Sequence, residues 1–188
     1  MRDLSPGFGS PLEAQACFRA VLSAFSRPGH RVALPVPPAV APPGLSRACA
    51  ALLLTLADAQ TRVALDEAHP ARDWLVFHSG ARLTGARDAD FHVSATRPAL
   101  ATLRQGSDEV PEDGATLILD LPAFAPGRAM RLSGPGLKEE TTTALPLDDG
   151  FVQEWRVQSR AAPRGVDVVL CAGMEMVALP RSLRIEEG

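Results

Sequence analysis

Four side chains in the sequence combine a reactive group with a position that a ligand could reach. His78 stands between Phe77 and Ser79-Gly80, and an imidazole there could contact a ligand or transfer a proton near neutral pH. Ser26 lies next to Arg27 at the end of a predicted helix, where its hydroxyl could contact a small anionic ligand. Each has a structural alternative, which is a hydrogen bond to a neighbouring loop for His78 and a cap on the turn for Ser26.

The other two side chains belong to the C-terminal part of the sequence. Asp167 lies inside an apolar strand pattern, Val166 to Ala172, where an unpaired carboxylate would be costly. It therefore requires a partner, either an arginine or loop amides, or a cleft to face. Arg181 follows Leu179-Pro180 at a strand end, a position that often contacts ligands in α/β sheets, although a surface ion pair is equally compatible. We predict ligand contacts for Ser26, His78, Asp167 and Arg181, and we assign no catalytic residue.

Familiar catalytic and cofactor motifs are missing from the sequence. No serine stands in a GxSxG pattern, and Gly134-Pro135-Gly136 is better interpreted as a tight turn than as a phosphate loop, because its proline has no amide hydrogen. The four histidines show no HExxH spacing and the cysteines no CxxC pair. We therefore predict no metal site. The cysteines are interpreted as small buried hydrophobic residues, at positions Cys17, Cys49 and Cys171.

Length and composition indicate one ordinary globular domain spanning residues 1–188. The chain is 46% hydrophobic and 22% charged, so it can bury a substantial core. A net charge of −3 argues against a general nucleic-acid binder. Lys138 is the only lysine among 19 basic residues, which reflects high-GC codon usage or a need for guanidinium forks that bind phosphate or carboxylate. Met1 to Leu4 shows no signal-peptide pattern, and no apolar run could span a bilayer, so we expect a cytoplasmic protein without membrane contact.

The first predicted helix has a strong local signature. Ser10-Pro11-Leu12-Glu13 forms a capping box with proline at the first helical position, and the carboxylate of Glu13 is expected to reach back to the Ser10 amide. Pro28-Gly29 ends the helix. Its apolar stripe, which should face the core, consists of Phe18, Val21, Leu22 and Phe25.

The remaining pattern predicts a layered α/β domain with a mixed sheet flanked by helices. Near-continuous apolar strands indicate a sheet covered on both faces, and helices occur before, between and after them. Predicted helices lie near 47–57 (capped by Ser46), 70–75 and 98–105, with another after Asp148 that carries Phe151, Val152, Trp155 and Val157. Predicted strands lie at 31–36, 61–66, 90–94, 115–121, 129–133, 166–172 and 176–179, with 76–78 at a strand edge or loop and a hairpin about Gly173.

Seven of these segments, taken in order, resemble the PhnH family of bacterial proteins. Each motif is modest alone, but their common order over nearly the whole chain makes the resemblance specific. They are Phe18-Arg19 with Leu22, Ser26 and Pro28-Gly29; Leu52 to Asp58; Phe77-His78; Gly114 to Leu119; Arg131 to Gly134 with Gly136; Gly165 to Asp167; and Pro180-Arg181.

The resemblance implies a subunit of the carbon-phosphorus lyase system of phosphonate catabolism. Proteins of this family form homodimers and join PhnG, PhnI and PhnJ in a core complex. That complex supports formation of a ribose 1-phosphonate 5-triphosphate from a purine nucleoside triphosphate and a phosphonate. The family fold is similar to the large domain of transferases that use pyridoxal phosphate, but without that cofactor. The sequence agrees, because a Schiff base needs a lysine in a pocket, and Lys138 precedes Glu139-Glu140 in what resembles a solvated turn.

The leading hypothesis is thus an accessory subunit without a cofactor that dimerises and docks onto partners. An exposed apolar patch should mark the docking face, and we place it at the strand edge near the C-terminus. Two alternatives remain. One is an autonomous enzyme acting on a phosphorylated sugar or nucleotide, with His78 transferring a proton and Arg181 or Arg27 holding phosphate. The other is an anion-binding module that delivers substrate.

Overall fold

The computed structural model describes residues 6–36, 38 and 40–188, and the prediction for residues 1–4 lies outside these ranges. Within the described residues the helices are α1 Pro11–Ser26, α2 Arg47–Leu56, α3 Arg72–Ser79 and α4 Asp149–Ser159, with 3-10 turns at Leu100–Thr102 and Pro111–Asp113. The strands are β1 Val32–Ala33, β2 Arg62–Ala64, β3 Arg82–Leu83, β4 Phe91–Ser94, β5 Thr116–Asp120, β6 Arg128–Ser133, β7 Thr141–Leu145, β8 Asp167–Ala172, β9 Glu175–Leu179 and β10 Arg184–Glu187.

A mixed sheet forms the middle layer, which confirms the predicted α/β class. Its strand order in the described chain is β1-β9-β8-β5-β4-β2-β3. The strands from β8 to β3 run parallel to one another, whereas β9 is antiparallel to β8 and β1 is antiparallel to β9. A separate antiparallel sheet has the order β10-β6-β7.

Alternate residues of the central strands face two different cores. On β5, Ile118 packs with the core formed by α1, α2 and α3, whereas Leu117 and Leu119 pack with α4 and the small sheet. Strand β8 alternates in the same way, with Val169 on the first side and Val168 on the second. Because both faces of the sheet are covered, its central strands appear in the sequence as the continuous apolar runs that predicted them.

Helix α2 is fixed at its N-terminus by two oxygen acceptors. The Ser46 hydroxyl accepts the Cys49 amide at 3.1 Å, as its predicted capping role requires. The Ser46 amide donates to Asp120 Oδ2 at 2.7 Å, which joins α2 to the carboxyl end of β5. Burial raises the pKa of Asp120 despite this hydrogen bond. The carboxylate therefore serves the fold by holding the helix start against the sheet.

Helix α1 begins as predicted but buries a different face. Ser10 Oγ accepts the Glu13 amide at 3.4 Å, while the Glu13 carboxylate accepts the amide of Gly9, at 2.7 Å, instead of the Ser10 amide. The predicted stripe is partly wrong, because Phe18 and Leu22 are 44% and 53% exposed. The buried face of α1 consists mostly of small side chains, so the helix can lie close to α2 and the sheet. These buried residues are Cys17, Ala20, Val21 and Ala24.

Other differences concern short elements. The predicted helix near 98–105 is a 3-10 turn at Leu100–Thr102. Residues 76–78 belong to α3, which continues to Ser79 and ends at Gly80 in the left-handed region. Strands β3, β7 and β10 were not predicted. Strand β3 has two residues and β10 is mostly charged, whereas β7 is Thr-rich and alternates exposed and half-buried positions before its buried last residue.

Candidate functional site

Asp167 and Arg181 form a mutual ion pair. The Arg181 guanidinium donates from Nη2 to Asp167 Oδ2 at 2.6 Å and from Nε to both carboxylate oxygens at 3.2 Å, and the Arg181 amide donates to Oδ1 at 2.7 Å. Arg181 Nη1 also donates to the Pro111 carbonyl. The side chains are only 18% and 17% exposed. An arginine, loop amides or a cleft were the predicted alternatives for Asp167, and the structure shows the arginine, so the two residues chiefly satisfy each other.

The ion pair lies at the amino edge of the parallel strands. Asp167 is the first residue of β8. Arg181 follows β9, which runs antiparallel to β8, so the end of β9 meets the start of β8. Ligands in open α/β sheets bind outside the carboxyl ends of the parallel strands. Arg181 therefore leaves its strand at the edge opposite to the one where such sheets bind ligands, and its ligand contact stays a prediction.

A second carboxylate closes the same edge. Asp90, just before β4, accepts hydrogen bonds from the Arg62 amide at 2.7 Å, from Arg62 Nη2 at 2.8 Å and from Arg104 Nη2 at 2.6 Å. Burial alone would raise the pKa of Asp90, but the hydrogen bonds and charge of Arg62 and the charge of Arg104 hold it below its usual value. Asp90 is not among the residues predicted from the sequence, although the sequence shows this acid shortly before a predicted strand and also shows Arg62 and Arg104.

The two remaining predicted residues lie elsewhere. His78 is on α3, with its ring centroid 5.1 Å from that of Trp74 and 5.0 Å from that of Phe77. Ser26 is exposed at the end of α1, and its hydroxyl donates to the Ser23 carbonyl at 3.0 Å. The predicted residues thus occupy three separate places and do not converge on one site.

The carboxyl edge of the parallel strands carries a cavity of about 440 Å³. We call it the carboxyl-edge cavity. Its lining comes from the ends of β2 and β3, from the start of α3 and from β4: Ala64, Leu65, Asp66, Glu67, Arg72, Leu83, Thr84, Gly85, Ala86 and His92. Polar side chains from different strands therefore line one cavity, where they could contact the same ligand.

Strand order explains why the cavity lies there. Strand β2 is flanked by β3 on one side and by β4 on the other, so the chain first moves to one side of β2 and then crosses to the opposite side. Such a reversal of direction opens a crevice at the carboxyl ends of the strands, which is where open α/β sheets bind ligands. The cavity therefore occupies the position that the topology itself creates.

Arg72 is held at the cavity by main-chain acceptors. Its Nη1 donates to the Leu65 carbonyl at 2.9 Å and more weakly to the Asp66 carbonyl at 3.4 Å. The Asp66 carboxylate accepts the Ala68 amide at 2.9 Å, which orders the turn after β2. Arg72, Asp66 and Glu67 all line the cavity, which therefore offers both hydrogen-bond donors and acceptors.

His92 is the imidazole of the cavity. It lies on β4, opposite Ala64 of β2, and its Nδ1 is buried without a hydrogen-bond partner in the described part of the chain. Burial lowers the pKa of His92, so the ring is neutral over a wider pH range. A neutral imidazole can accept or donate one hydrogen bond toward a ligand.

The sequence pattern did not predict this cavity, because its residues come from four separate segments of the chain. Asp66 follows β2, Thr84 and Gly85 follow β3, Arg72 begins α3 and His92 lies within β4. The available signal was that Asp66 and Thr84 each come within two residues of the end of a short strand. Using it would have required knowing that β2 and β3 are parallel neighbours.

Among the described residues, no three histidine, cysteine, aspartate or glutamate side chains are grouped so that they could hold a metal ion. No helix in the same residue ranges has both the length and the apolar character needed to cross a membrane.

The fold and the cavity define a three-layer α/β protein with a polar crevice at the carboxyl edge of its sheet. Residues 6–186 match the family model described as bacterial phosphonate metabolism protein (PhnH). The chain belongs to the PhnH family, as its sequence motifs indicated.

Two relatives extend the match over nearly the full chain. The α-D-ribose 1-methylphosphonate 5-triphosphate synthase subunit PhnH of Rhizobium meliloti (strain 1021) is 35% identical over 192 aligned positions, covering 97% of this chain and 95% of that protein. HtxG of Stutzerimonas stutzeri, named as a candidate C-P lyase subunit, is 32% identical over 173 positions, covering 91% and 85%.

Proposed function

We propose that this chain is a subunit of the carbon-phosphorus lyase complex and supports formation of a ribose 1-phosphonate 5-triphosphate during phosphonate catabolism. The observation that carries this proposal is the end-to-end similarity to a protein named as a subunit of that synthase. Its contribution is binding and assembly, as expected of an accessory subunit. The structure is compatible with this role, because the Asp167–Arg181 ion pair is used by the fold.

The autonomous enzyme is the weaker alternative. It requires His78 to act on one substrate together with Arg181 or Arg27. Arg27 follows the end of α1, where its guanidinium donates to the Ser23 hydroxyl. Arg181 is occupied by Asp167 on β8, whereas His78 lies on α3, which contacts β3 at the far edge of the sheet. Three strands separate β8 from β3, so each strand spacing of about 5 Å adds to the distance between them.

An exposed apolar face of α1 favours a docking role. Phe18 and Leu22 are one helical turn apart and therefore adjacent on the helix surface, and Leu12 near its start is 74% exposed. We assign this face to contact with another subunit of the complex, since the named relatives are subunits. We assign the docking face to α1 instead of the strand edge near the C-terminus, because β10 at that edge carries the charged residues Arg184, Glu186 and Glu187.

Several finer features belong to the same proposal. They are a single domain over residues 1–188, a homodimer, assembly with PhnG, PhnI and PhnJ, a cytoplasmic location, and a fold similar to the large domain of pyridoxal-phosphate transferases without use of the cofactor. The support for them is membership of the PhnH family.

Co-purification tests the proposal. A tagged copy of this chain, expressed with the other lyase subunits of the same organism, should recover them in fixed ratio, and a strain lacking it should fail to grow on a phosphonate as its phosphorus source. Absence of association together with normal growth would refute the assignment. Product formation by the isolated chain would instead support the autonomous enzyme.

A further inference from the structure

We propose that the carboxyl-edge cavity binds the hydroxyl-bearing side of a ribosyl group, and that it does not bind the phosphate end of the same molecule. This inference deepens the proposed function and rests on it for the identity of the sugar. The choice of sugar hydroxyls over phosphate comes from the side chains of the cavity.

Charge at the rim disfavours a phosphoryl group. Asp66 and Glu67 bring two carboxylates to a cavity that holds one guanidinium, that of Arg72. Part of that guanidinium already donates to the main chain at Leu65. A phosphate would therefore approach two like charges with only a partly occupied cation to oppose them, and like charges at close range repel.

The same carboxylates suit vicinal hydroxyl groups. An ionised carboxylate only accepts hydrogen bonds, and two adjacent sugar hydroxyls offer two donors to it. An acidic side chain near the carboxyl end of a strand in an open α/β sheet commonly binds ribose hydroxyls in this way. Asp66 has this position, two residues after the end of β2, with Glu67 next to it.

His92 and the apolar wall complete the match. A buried N–H group without an acceptor is rarer and costlier than a buried acceptor without a donor. The buried Nδ1 of His92 has no hydrogen-bond partner in the described part of the chain, so we place the proton of the neutral ring on Nε2. Nε2 can donate to a sugar oxygen. Leu83 and Ala86 line the cavity beside it, and they can pack against the carbon face of the ring. A volume of about 440 Å³ lies within the usual range for small-molecule sites.

The test compares ligands that differ by one hydroxyl or by the sugar itself. The full chain, alone and in the co-purified complex, is titrated with D-ribose 5-phosphate, 2-deoxy-D-ribose 5-phosphate and inorganic tripolyphosphate, while the histidine side-chain NMR signals are followed. We expect ribose 5-phosphate to shift the His92 signal and the deoxy sugar to bind at least tenfold more weakly, because its site acceptors lose a donor. Tripolyphosphate should leave the His92 signal unchanged.

Two variants locate the binding. Gly85→Leu adds a side chain at a cavity position where no atom lies within 4 Å of the added Cβ, so it should fill the cavity, abolish ribose 5-phosphate binding and leave the fold intact. Glu67→Gln removes one carboxylate and should weaken binding about tenfold. The matched controls Ala123→Leu and Glu109→Gln, at exposed positions outside the cavity, should bind like the unaltered chain.

Three outcomes among the ligand and variant comparisons would overturn the inference. They are equal affinity for the ribose and deoxyribose phosphates, displacement of the His92 signal by tripolyphosphate, and unchanged binding by Gly85→Leu. Failure to bind ribose 5-phosphate both alone and in the complex would also overturn it. Because assembly is measured by co-purification, a complex that forms normally without sugar discrimination refutes the cavity assignment alone, whereas failed assembly refutes the proposed function.

Discussion

Arg181 donates hydrogen bonds to both oxygens of the Asp167 carboxylate, with its main-chain amide 2.7 Å from Oδ1 and its Nη2 2.6 Å from Oδ2. The pair joins the end of β9 to the start of β8, and its contact with the Pro111 carbonyl extends the link to the turn before β5. These two residues were predicted to bind a ligand, and the geometry explains their chemistry without one.

Asp167→Asn should therefore act on stability. The amide cannot provide two anionic oxygens to the guanidinium, so the mostly buried charge of Arg181 loses its counterion. We expect a loss of about 2 kcal/mol in the free energy of unfolding, measured by urea denaturation. Glu186→Gln, which breaks the exposed pair with Arg131, is the control and should change the midpoint little. If Asp167→Asn is as stable as the control, the pair does not have the role assigned here.

Gly29 is required by both its backbone and its surroundings. Its φ is +78°, and an added Cβ would overlap the side chain of Leu132 in the small sheet. Gly29→Ala should lower the free energy of unfolding by at least about 1 kcal/mol. Gly85→Ala, where φ is not in the left-handed region and the space is open, should stay within about 0.5 kcal/mol of the unaltered chain. Equal melting temperatures for the two variants would contradict this account.

His92 should make stability depend on pH near neutrality. Burial lowers the pKa of His92 in the folded chain, so the unfolded chain, with a histidine pKa of about 6.5, binds the proton first as pH falls. The neutral ring therefore makes its full contribution to the free energy of unfolding above the unfolded pKa. This contribution is lost as pH falls from the unfolded pKa through the lower folded pKa.

The measurement is urea denaturation between about pH 7.5 and 5.5, above most carboxylate titrations. His92→Gln should flatten the decrease in unfolding free energy over this interval. His30→Gln, which removes an exposed imidazole, should retain it. A pH profile unaffected by His92→Gln would show that the ring titrates alike in both states.

The sequence predicted the central strands well, for a physical reason. Runs such as 115–121 and 166–172 are apolar on both faces because the sheet is covered by α1, α2 and α3 on one side and by α4 and the small sheet on the other. Caps were equally clear, since Ser46 and Asp148 each accept the amide three residues ahead. Local chemistry determines both features.

The candidate site was harder because it depends on strand order and direction. Asp66 and His92 lie 26 positions apart in sequence and share the cavity because β2 and β4 are parallel neighbours. Residues 76–78 misled the prediction in another way, since Val76 and Phe77 resemble a strand and yet are exposed on α3. The rings of Trp74 and His78, one turn apart on that helix and tilted by 55° to each other, show the helical spacing that the short window concealed.

The exposed side chains of α1 provide the last prediction, which concerns assembly. Leu22 is 53% exposed beside Phe18, so Leu22→Glu should leave the isolated chain folded while placing a charge where an apolar contact is proposed. We expect recovery of partner subunits in co-purification to fall at least tenfold, with an unchanged melting temperature. Val157→Glu, at an apolar position on α4 that is 67% exposed, is the control and should retain the partners.

The outcomes separate three arrangements of the complex. Loss of partners with Leu22→Glu alone supports docking through α1, because a buried unpaired carboxylate opposes association. If sedimentation shows that Leu22→Glu converts a dimer to a monomer while partners are retained, the α1 face joins two copies of this chain instead. If only Val157→Glu loses the partners, the docking surface lies on α4 and the assignment of the α1 face is wrong.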